Sequence, residues 1–366
     1  MTIGLAIFVI LLSFYIMAEI VDKRFVQSLD NISHWLKLSP DIAGATLLAI
    51  GTSAPEISTA LVALFLAGAS PATGVGTIVG SAIFNLVLVV GFASAISTCY
   101  LNWRSVLRDV IAYAISVLLL YWFAMDDKFT FNEAGIFMLT YVAYIIFLLY
   151  WSKMVKNGSD AYERLEKIEE EMAKHPEKSK NIIVLIFRAI TFPITFIIDS
   201  VPDPKKKESW TIPVFILSLA VIAYSSYWLV EAAEDLAAIL QIPPAIIALT
   251  ILAGGTSVPE LISSAIVARQ GHGDMAVSNA IGSNTFDILM GLGLPVMLYI
   301  LMKGGAVEGI GGKDIAASIV LLFGSLIFIV LFLTILKFKA NRFFGFTLII
   351  IYVLYVYSAY AGWISA

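Results

Sequence analysis

The chain has 366 residues, 60% of them apolar and 14% charged, with a formal net charge of −4 and a mean hydropathy of +0.91. Ordinary soluble domains carry about 25% charged residues. A surface built from this composition would be mostly hydrocarbon, so a water-soluble globule is excluded. The weakly acidic balance gives no reason for a nucleic-acid partner. One cysteine, Cys99, rules out an internal disulfide or a cysteine-based metal cluster, and His34, His175 and His272 are too scattered for a His-ligated site.

Apolar runs of spanning length occur at about 2–20, 42–67, 73–97, 106–124, 134–151, 211–230, 243–267, 275–301, 315–336 and 343–364. They predict an all-α polytopic membrane protein with ten transmembrane helices. The first run is too long, and lacks the basic flank, for a cleaved signal peptide, so it reads as a span. Residues 152–209 hold 11 of the 23 Lys/Arg and 10 of the 27 Asp/Glu, and predict a charged loop. Within it, 160–174 reads as a solvated helix with i,i+4 pairs Glu163–Lys167 and Glu170–Lys174. Residues 182–198 are apolar but contain Arg188 and Pro193. With ten spans and both termini outside, the inner loops carry 20 basic residues and the outer loops 3, a strong positive-inside asymmetry. A further span at 182–198 would weaken that bias, so this segment reads as an interfacial helix on the inner face.

The sequence also repeats itself. Residues 38–58 align with 242–262 at an offset of 204, matching Pro40 to Pro244, Thr46 to Thr250, Gly51-Thr52-Ser53 to Gly255-Thr256-Ser257, and Pro55-Glu56 to Pro259-Glu260. Residues 74–91 align with 276–293 at an offset of 202, where Gly80-Ser81, Phe84 and Gly91 recur as Gly282-Ser283, Phe286 and Gly293, and Asn85 becomes Asp287. Two unrelated hydrophobic segments would match in Leu, Val and Ile; these match in Gly, Thr, Ser, Pro and Glu. Five spans per half is odd, so the second half enters the membrane from the opposite side, giving two inverted five-helix repeats. The expected division is 1–151 for the first repeat, 152–209 for the cytoplasmic charged loop with its interfacial helix, and 210–366 for the second repeat.

Each copy puts an acid in mid-span, Glu56 and Glu260, and Asp287 adds a third. A charge at the bilayer centre costs about 2.5–3.5 kcal/mol on insertion scales. No Lys, Arg or His lies within the four repeat spans, Arg269 standing at an inner end. Bound cations or protons remain to offset the acids. Pro55 and Pro259 remove backbone donors and free the carbonyls of Gly51 and Gly255, which is acceptable at membrane depth where they line a cavity or bind something. Thr52, Ser53, Thr256, Ser257, Ser81 and Ser283 add hydroxyl oxygens and Asn85 an amide oxygen. Such an all-oxygen set suits Ca²⁺ or Na⁺, and Mg²⁺ less readily. Three carboxylates are balanced by one Ca²⁺ with one monovalent cation, or by three Na⁺, as an exchanger requires.

Plainer readings compete at several positions. Gly76-xxx-Gly80 is also a small-residue packing motif. Asp287 alone could be a hydrogen-bonded structural acid. Glu19, Glu231, Glu234 and Asp235 lie at span ends, where a solvated carboxylate is the default. Residues 74–80 miss the spacing of a nucleotide loop, and no P-loop points to ATP drive. Asn31-Ile-Ser33 and Asn157-Gly-Ser159 match the glycosylation pattern but fall on the inner side. Ser53 and Ser257 have no nearby His or Lys base, which argues against an intramembrane hydrolase, and the chain is expected to be no enzyme. A channel would show flux independent of any counter-ion gradient.

These motifs resemble the α-repeats of the cation/Ca²⁺ exchanger superfamily, and most closely those of K⁺-dependent Na⁺/Ca²⁺ exchangers. The likeness rests on Asp41-Ile-Ala-Gly-Ala-Thr46, Gly51-Thr-Ser-Ala-Pro-Glu56 and Gly76-Thr-Ile-Val-Gly-Ser81 in the first copy. In the second it runs from Ala268 to Asn279, through Gly282-Ser-Asn-Thr-Phe-Asp287, to Gly291-Leu-Gly-Leu-Pro295. Phe192-Pro193, Val201-Pro-Asp203 and Lys205-Lys-Lys207 are also similar. The resemblance implies a Na⁺/Ca²⁺ antiporter that carries K⁺ with Ca²⁺, works by alternating access as spans one and six move across the others, and needs no cofactor. Glu56 and Glu260 would be the central carboxylates, completed by Thr52, Ser53, Thr256, Ser257, Ser81, Ser283, Asn85, Asp287 and carbonyls near Ala49 and Ala253. The residue matching Asp287 is associated with K⁺ dependence in that family, although relatives without a K⁺ requirement also carry Asp there. Glu260 departs from the family pattern, since K⁺-dependent members usually carry Asp there. The alternatives on the same fold are a K⁺-independent Na⁺/Ca²⁺ exchanger and a H⁺/Ca²⁺ antiporter. The expected partner is the lipid bilayer, with one chain as the transport unit. Short loops point to a prokaryotic plasma membrane.

Overall fold

The computed structural model of the protein describes residues 1–36, 49–66, 70–101, 103–154, 182–269, 273–309 and 313–361. The charged helix expected at 160–174, and Asp41 and Thr46 of the first motif, lie outside them. Among the described residues eight helices are long and apolar enough to cross a membrane: Ile3–Ile32, Pro71–Ile96, Val106–Ala124, Phe131–Trp151, Glu208–Leu240, Asn279–Lys303, Ile315–Ile335 and Arg342–Tyr360. Of the runs expected at 42–67 and 243–267, the described residues form the shorter apolar helices Ala54–Phe65 and Pro244–Thr256.

We name the helices α1 (Ile3–Ile20), α2 (Val26–Trp35), α3 (Ala49–Thr52), α4 (Ala54–Phe65), α5 (Pro71–Ile83), α6 (Val90–Ile96), α7 (Trp103–Ala124), α8 (Phe131–Met154), α9 (Ile182–Ser200), α10 (Thr211–Leu240), α11 (Pro244–Ile247), α12 (Ala253–Thr256), α13 (Val258–Arg269), α14 (Gly273–Lys303), α15 (Lys313–Ile335) and α16 (Arg342–Tyr360). Wider π-helical turns join α1 to α2, α5 to α6 and α11 to α12.

The break between α3 and α4 falls at Ser53, with φ −89° and ψ 6°. That between α12 and α13 falls at Ser257, with φ −94° and ψ 8°. Proline explains both. Pro55 and Pro259 each stand in the first turn of the following helix, where a missing N–H costs nothing, and they forbid continuation from the preceding turn. The serine carbonyls then start the new helices, accepting from Ile57 at 3.0 Å and Leu261 at 3.1 Å.

Two helices outrun their apolar runs. The first continues from Ile20 to Trp35 and α10 continues past Val230 to Leu240. They lie antiparallel, with Phe25 stacked on Phe215 at 5.3 Å and Asn31 Nδ2 donating to Thr211 Oγ1 at 2.8 Å. Polar side chains in the extensions find partners, which lets the helices go on. Lys23 pairs with Glu19 at 2.7 Å and with Asp199 at 2.8 Å, Arg24 donates to Val201 O, and Asp235 holds the Met1 amino group at 2.7 Å. Glu234, expected to be a solvated acid, instead accepts from Ser70 N and Thr73 Oγ1. The segment containing Arg188 and Pro193 is helical, as α9, and packs on α1 through Tyr15 and Thr195.

The apolar interior is divided. One core joins α5 to α8 with α14 to α16; the other joins α1, α2, α9 and α10. Their boundary runs through the π turn Ala248–Leu252, where Ala248 and Leu252 face the second core and Leu249 the first. Four two-residue strands close the helix ends: β1 (Cys99–Tyr100), β2 (Lys128–Phe129), β3 (Val307–Glu308) and β4 (Lys339–Ala340). β1 pairs with β4 and β2 with β3, both antiparallel. Cys99 faces Ala340 as Val307 faces Phe129, all four buried. Tyr100 faces Lys339 as Glu308 faces Lys128. A left-handed residue precedes each lysine, Asp127 (φ 59°) and Phe338 (φ 58°). The two pairs flank opposite ends of α7.

Gly76 and Gly80 do serve close packing. A Cβ on Gly80 would lie 2.3 Å from Leu249 O and 2.6 Å from Ala253 Cβ, and one on Gly76 would lie 3.0 Å from Ala248 Cβ. α5 therefore approaches the backbone of the broken second-copy helix along two turns. Gly80→Ala should cost about 1–3 kcal/mol and lower the melting temperature in detergent. Gly4→Ala, where nothing lies within 4 Å, should stay within about 0.5 kcal/mol of the parent protein.

Candidate functional site

The two proline breaks bring the two copies of the motif face to face. Glu56, in the first turn of α4, is fully buried, as are Ser53, Ser81 and Ser257. Ser257 Oγ donates to Glu56 Oε1 at 3.1 Å and shares a hydrogen bond with Ser81 Oγ at 2.7 Å. One hydroxyl from the second copy thus bridges an acid and a hydroxyl from the first. Glu260 (3% exposed), Asp287 (1%), Asn85 (1%), Thr256 (1%) and Ser283 (5%) are buried close by, while Thr52 is half-buried. Glu56 acts electrostatically on both Glu260 and Asp287.

The expected oxygen ligands divide into two groups. Some are engaged by the protein: Ala253 O accepts from Thr256 Oγ1 at 3.2 Å and from Ser257 N at 3.3 Å, and Ser283 Oγ donates to Ala280 O at 3.5 Å. Others make no hydrogen bond to the described residues: Glu56 Oε2 and both side-chain polar atoms of Asn85, while Ser53 and Asp287 interact with each other across the site. Leaving a buried polar atom unpaired costs about 1–3 kcal/mol, and more if it is charged. The donor set therefore fits a hard cation held by carboxylate, hydroxyl and amide oxygens. Among the described residues no three Asp, Glu, His or Cys side chains converge on one point, so a cation here would draw on the neutral oxygens as well. Ala49 lies in α3, within the first copy.

Reading the sequence missed Asn284. Its Nδ2 donates to Ala82 O at 2.9 Å, and at the offset of 202 Ala82 is its own counterpart in the first copy. This bond ties α14 to α5 one residue past the matched serines. The signal was present: Asn284 is a polar residue inside Gly282-Ser-Asn-Thr-Phe-Asp287 where the first copy has alanine. Phe14 was missed too. Its ring rests against Gly255, where no side chain would fit beside it without displacement, and brings α1 onto the second break.

The sodium/calcium exchanger protein family matches residues 6–150 and 210–361. Sodium/potassium/calcium exchanger 2 of Gallus gallus is 26% identical, with 94% of this chain and 75% of that protein covered. Sodium/potassium/calcium exchanger 4 of Homo sapiens is 27% identical, with coverages of 94% and 79%. Among solved structures, the sodium-calcium exchanger NCX_Mj soaked with Na⁺ and Sr²⁺ shares the fold. It has a TM-score of 0.57 and 23% identity, with 98% of this chain and 99% of that chain covered.

Ser257→Ala removes the donor to Glu56 and cuts the link to Ser81. At about 1–2 kcal/mol for the lost bonds, Ca²⁺ affinity should fall roughly five- to thirtyfold, read as a smaller Ca²⁺-dependent rise in melting temperature. Glu56→Gln and Glu260→Gln should abolish that rise while the ion-free protein still melts cooperatively. A full-sized rise in either Gln variant would remove that glutamate from the site.

Proposed function

The chain belongs to the sodium/calcium exchanger protein family, and on that premise we propose that it is a secondary-active antiporter exchanging Na⁺ for Ca²⁺, with K⁺ carried alongside Ca²⁺. The observation that carries this reading is the buried Ser81–Ser257–Glu56 network, in which the two motif copies share one set of oxygens. The transported ions are held by Glu56 and Glu260, with Asp287, Asn85, Thr52, Ser53, Thr256, Ser257, Ser81, Ser283 and the carbonyls of Ala49 and Ala253.

The fold of this reading has ten spans in two inverted five-helix repeats, 1–151 and 210–366. The broken segments α3–α4 and α11–α13 are the second and seventh spans. Three features support it: the matching breaks at Ser53 and Ser257, the matching strand pairs at opposite ends of α7, and a family match that skips 151–209. The basic-residue count favours termini outside and the central loop, with α9, on the cytoplasmic face. Short loops suit a prokaryotic plasma membrane.

Coupling follows from charge. Glu56, Glu260 and Asp287 are buried, and the basic residues of the repeat helices, Arg269 and Lys303, stand in last turns at the helix ends. An uncompensated buried charge costs several kcal/mol, so the closed intermediate between the two open states is accessible when the site is loaded. Ca²⁺ with K⁺, or Na⁺ ions, supply that load. Neither an empty nor a half-loaded carrier crosses readily, and the two fluxes are thereby tied. The K⁺ requirement draws on Asp287 and on the sodium/potassium/calcium exchangers among the relatives.

The test is ⁴⁵Ca²⁺ uptake into Na⁺-loaded proteoliposomes, with K⁺ outside or replaced by choline. Uptake should need internal Na⁺ and external K⁺, and Asp287→Asn should weaken the K⁺ requirement more than the Na⁺ requirement. Uptake that ignores K⁺ would remove K⁺ from the cycle. Uptake driven by a pH gradient without Na⁺ would replace the reading with a H⁺/Ca²⁺ antiporter.

A further inference from the structure

The two hydrophobic cores make the molecule two bodies in contact: α1, α2, α9 and α10 on one side, the bundle of α5 to α8 and α14 to α16 on the other. Apolar contacts across such a seam, like the Phe14 ring on Gly255, are non-directional and set no register by themselves. Glu234 supplies directional contacts. It projects from α10 and its Oε1 accepts from Ser70 N at 3.2 Å and from Thr73 Oγ1.

Those donors are the start of α5. Ser70 is the N-cap residue of that helix, and its own side chain makes no capping hydrogen bond. The unpaired N–H groups and the positive end of the helix dipole favour an anion there. Here the anion comes from a different helix in the other body. Thr73 is buried and lies two turns, about 12 Å, before Ser81 along α5. The same helix carries Gly76, Gly80 and Ser81, so a contact at its first turn bears on the helix that lines the site.

We propose that Glu234 is a positioning residue for transport: its carboxylate latches α10 to the start of α5, holds this end of the seam closed, and must let go for this end to open. This rests on the exchanger reading above and on alternating access. In the orientation argued there, the latch closes the external side. The charge matters because the bond is charge-assisted, and charge-assisted bonds are about twice as strong as neutral ones. The position matters because the latch joins the two bodies that have to shift relative to each other.

The test compares Glu234→Ala, Glu234→Gln and Thr73→Val with the parent protein in oriented proteoliposomes. Losing the latch should raise the population open at the Glu234 end about three- to tenfold. The half-saturating Ca²⁺ concentration should then fall by that factor on the Glu234 side and rise on the other. Glu234→Gln should shift less than Glu234→Ala, and Thr73→Val in the Ala background should add nothing. A merely structural loss would move both sides together or lower the maximal rate alone, and either result would overturn the latch.

A second readout is independent of flux. Val230 is fully buried and lies one turn before Glu234 on the same face of α10. In a Cys99→Ser background, Val230→Cys should react about three- to tenfold faster with a thiol reagent applied from the Glu234 side once Glu234→Ala is added. An unchanged labelling rate overturns the latch whatever the flux shows. Absence of Na⁺-dependent Ca²⁺ flux in the parent protein would overturn the exchanger reading by itself.

Discussion

The structure turns on the burial of Glu56 and Asp287, carboxylates that meet no cationic side chain among the described residues. Glu56 and Asp287 are buried in the bundle, and the repeat helices offer hydroxyls, amides and carbonyls around them while their basic residues, Arg269 and Lys303, are confined to last turns at the helix ends. Hydrophobic residues of similar volume would pack more cheaply in such a place. The helix breaks at Ser53 and Ser257 belong to the same constraint. They fall two residues before each proline-glutamate pair and so put each acid in the first turn of a new helix, where the dipole favours negative charge. Local backbone geometry thus supplies part of the stabilisation that a lysine would supply elsewhere. In the exchanger reading the remainder falls to the transported ions, which would make the site sensitive to which ions are present.

Close approach is the second requirement. Two helix breaks share one set of oxygens only if α5 comes within reach of the second-copy backbone, and Gly80 allows this by leaving the Leu249 carbonyl room. The packing and binding readings of the small residues are therefore not rivals. Gly76 and Gly80 are small so that Ser81 can meet Ser257, and Asn284 then ties α14 to the carbonyl of its own counterpart, Ala82. Every one of these contacts joins residues of the two copies, so the site exists only when both halves are folded together.

What could be read from the sequence follows from this. The mid-span acids, the prolines and the paired Gly-Thr-Ser segments break the hydrophobic pattern, and a break in a simple pattern is easy to see. Helix ends were harder. The runs at 2–20 and 211–230 stopped where charge began, yet both helices continue, because Lys23 finds Glu19 and Asp199 and Asp235 finds the Met1 amino group. Hydropathy scores a residue against bulk solvent and is blind to a partner about 200 residues away. Glu234 was misread for the same reason. From sequence it is one more acid at a helix end; its donors on Ser70 and Thr73 appear only when α10 is laid against α5.

The division into two cores gives these partners different duties. Within the larger core, the paired strands cap the helix ends at both ends of α7, and Cys99, Ala340, Phe129 and Val307 are buried beneath them. That body is fastened at top and bottom and is suited to holding ligand oxygens at fixed separations. The α1–α10 pair is fastened mainly to itself, through Phe25 on Phe215 and Asn31 on Thr211. A body bound within itself and meeting its neighbour across an apolar seam can shift as a unit without breaking its own hydrogen bonds. The energy that resists such a shift then resides in the few directional contacts that cross the seam, and their strength sets how readily one side opens.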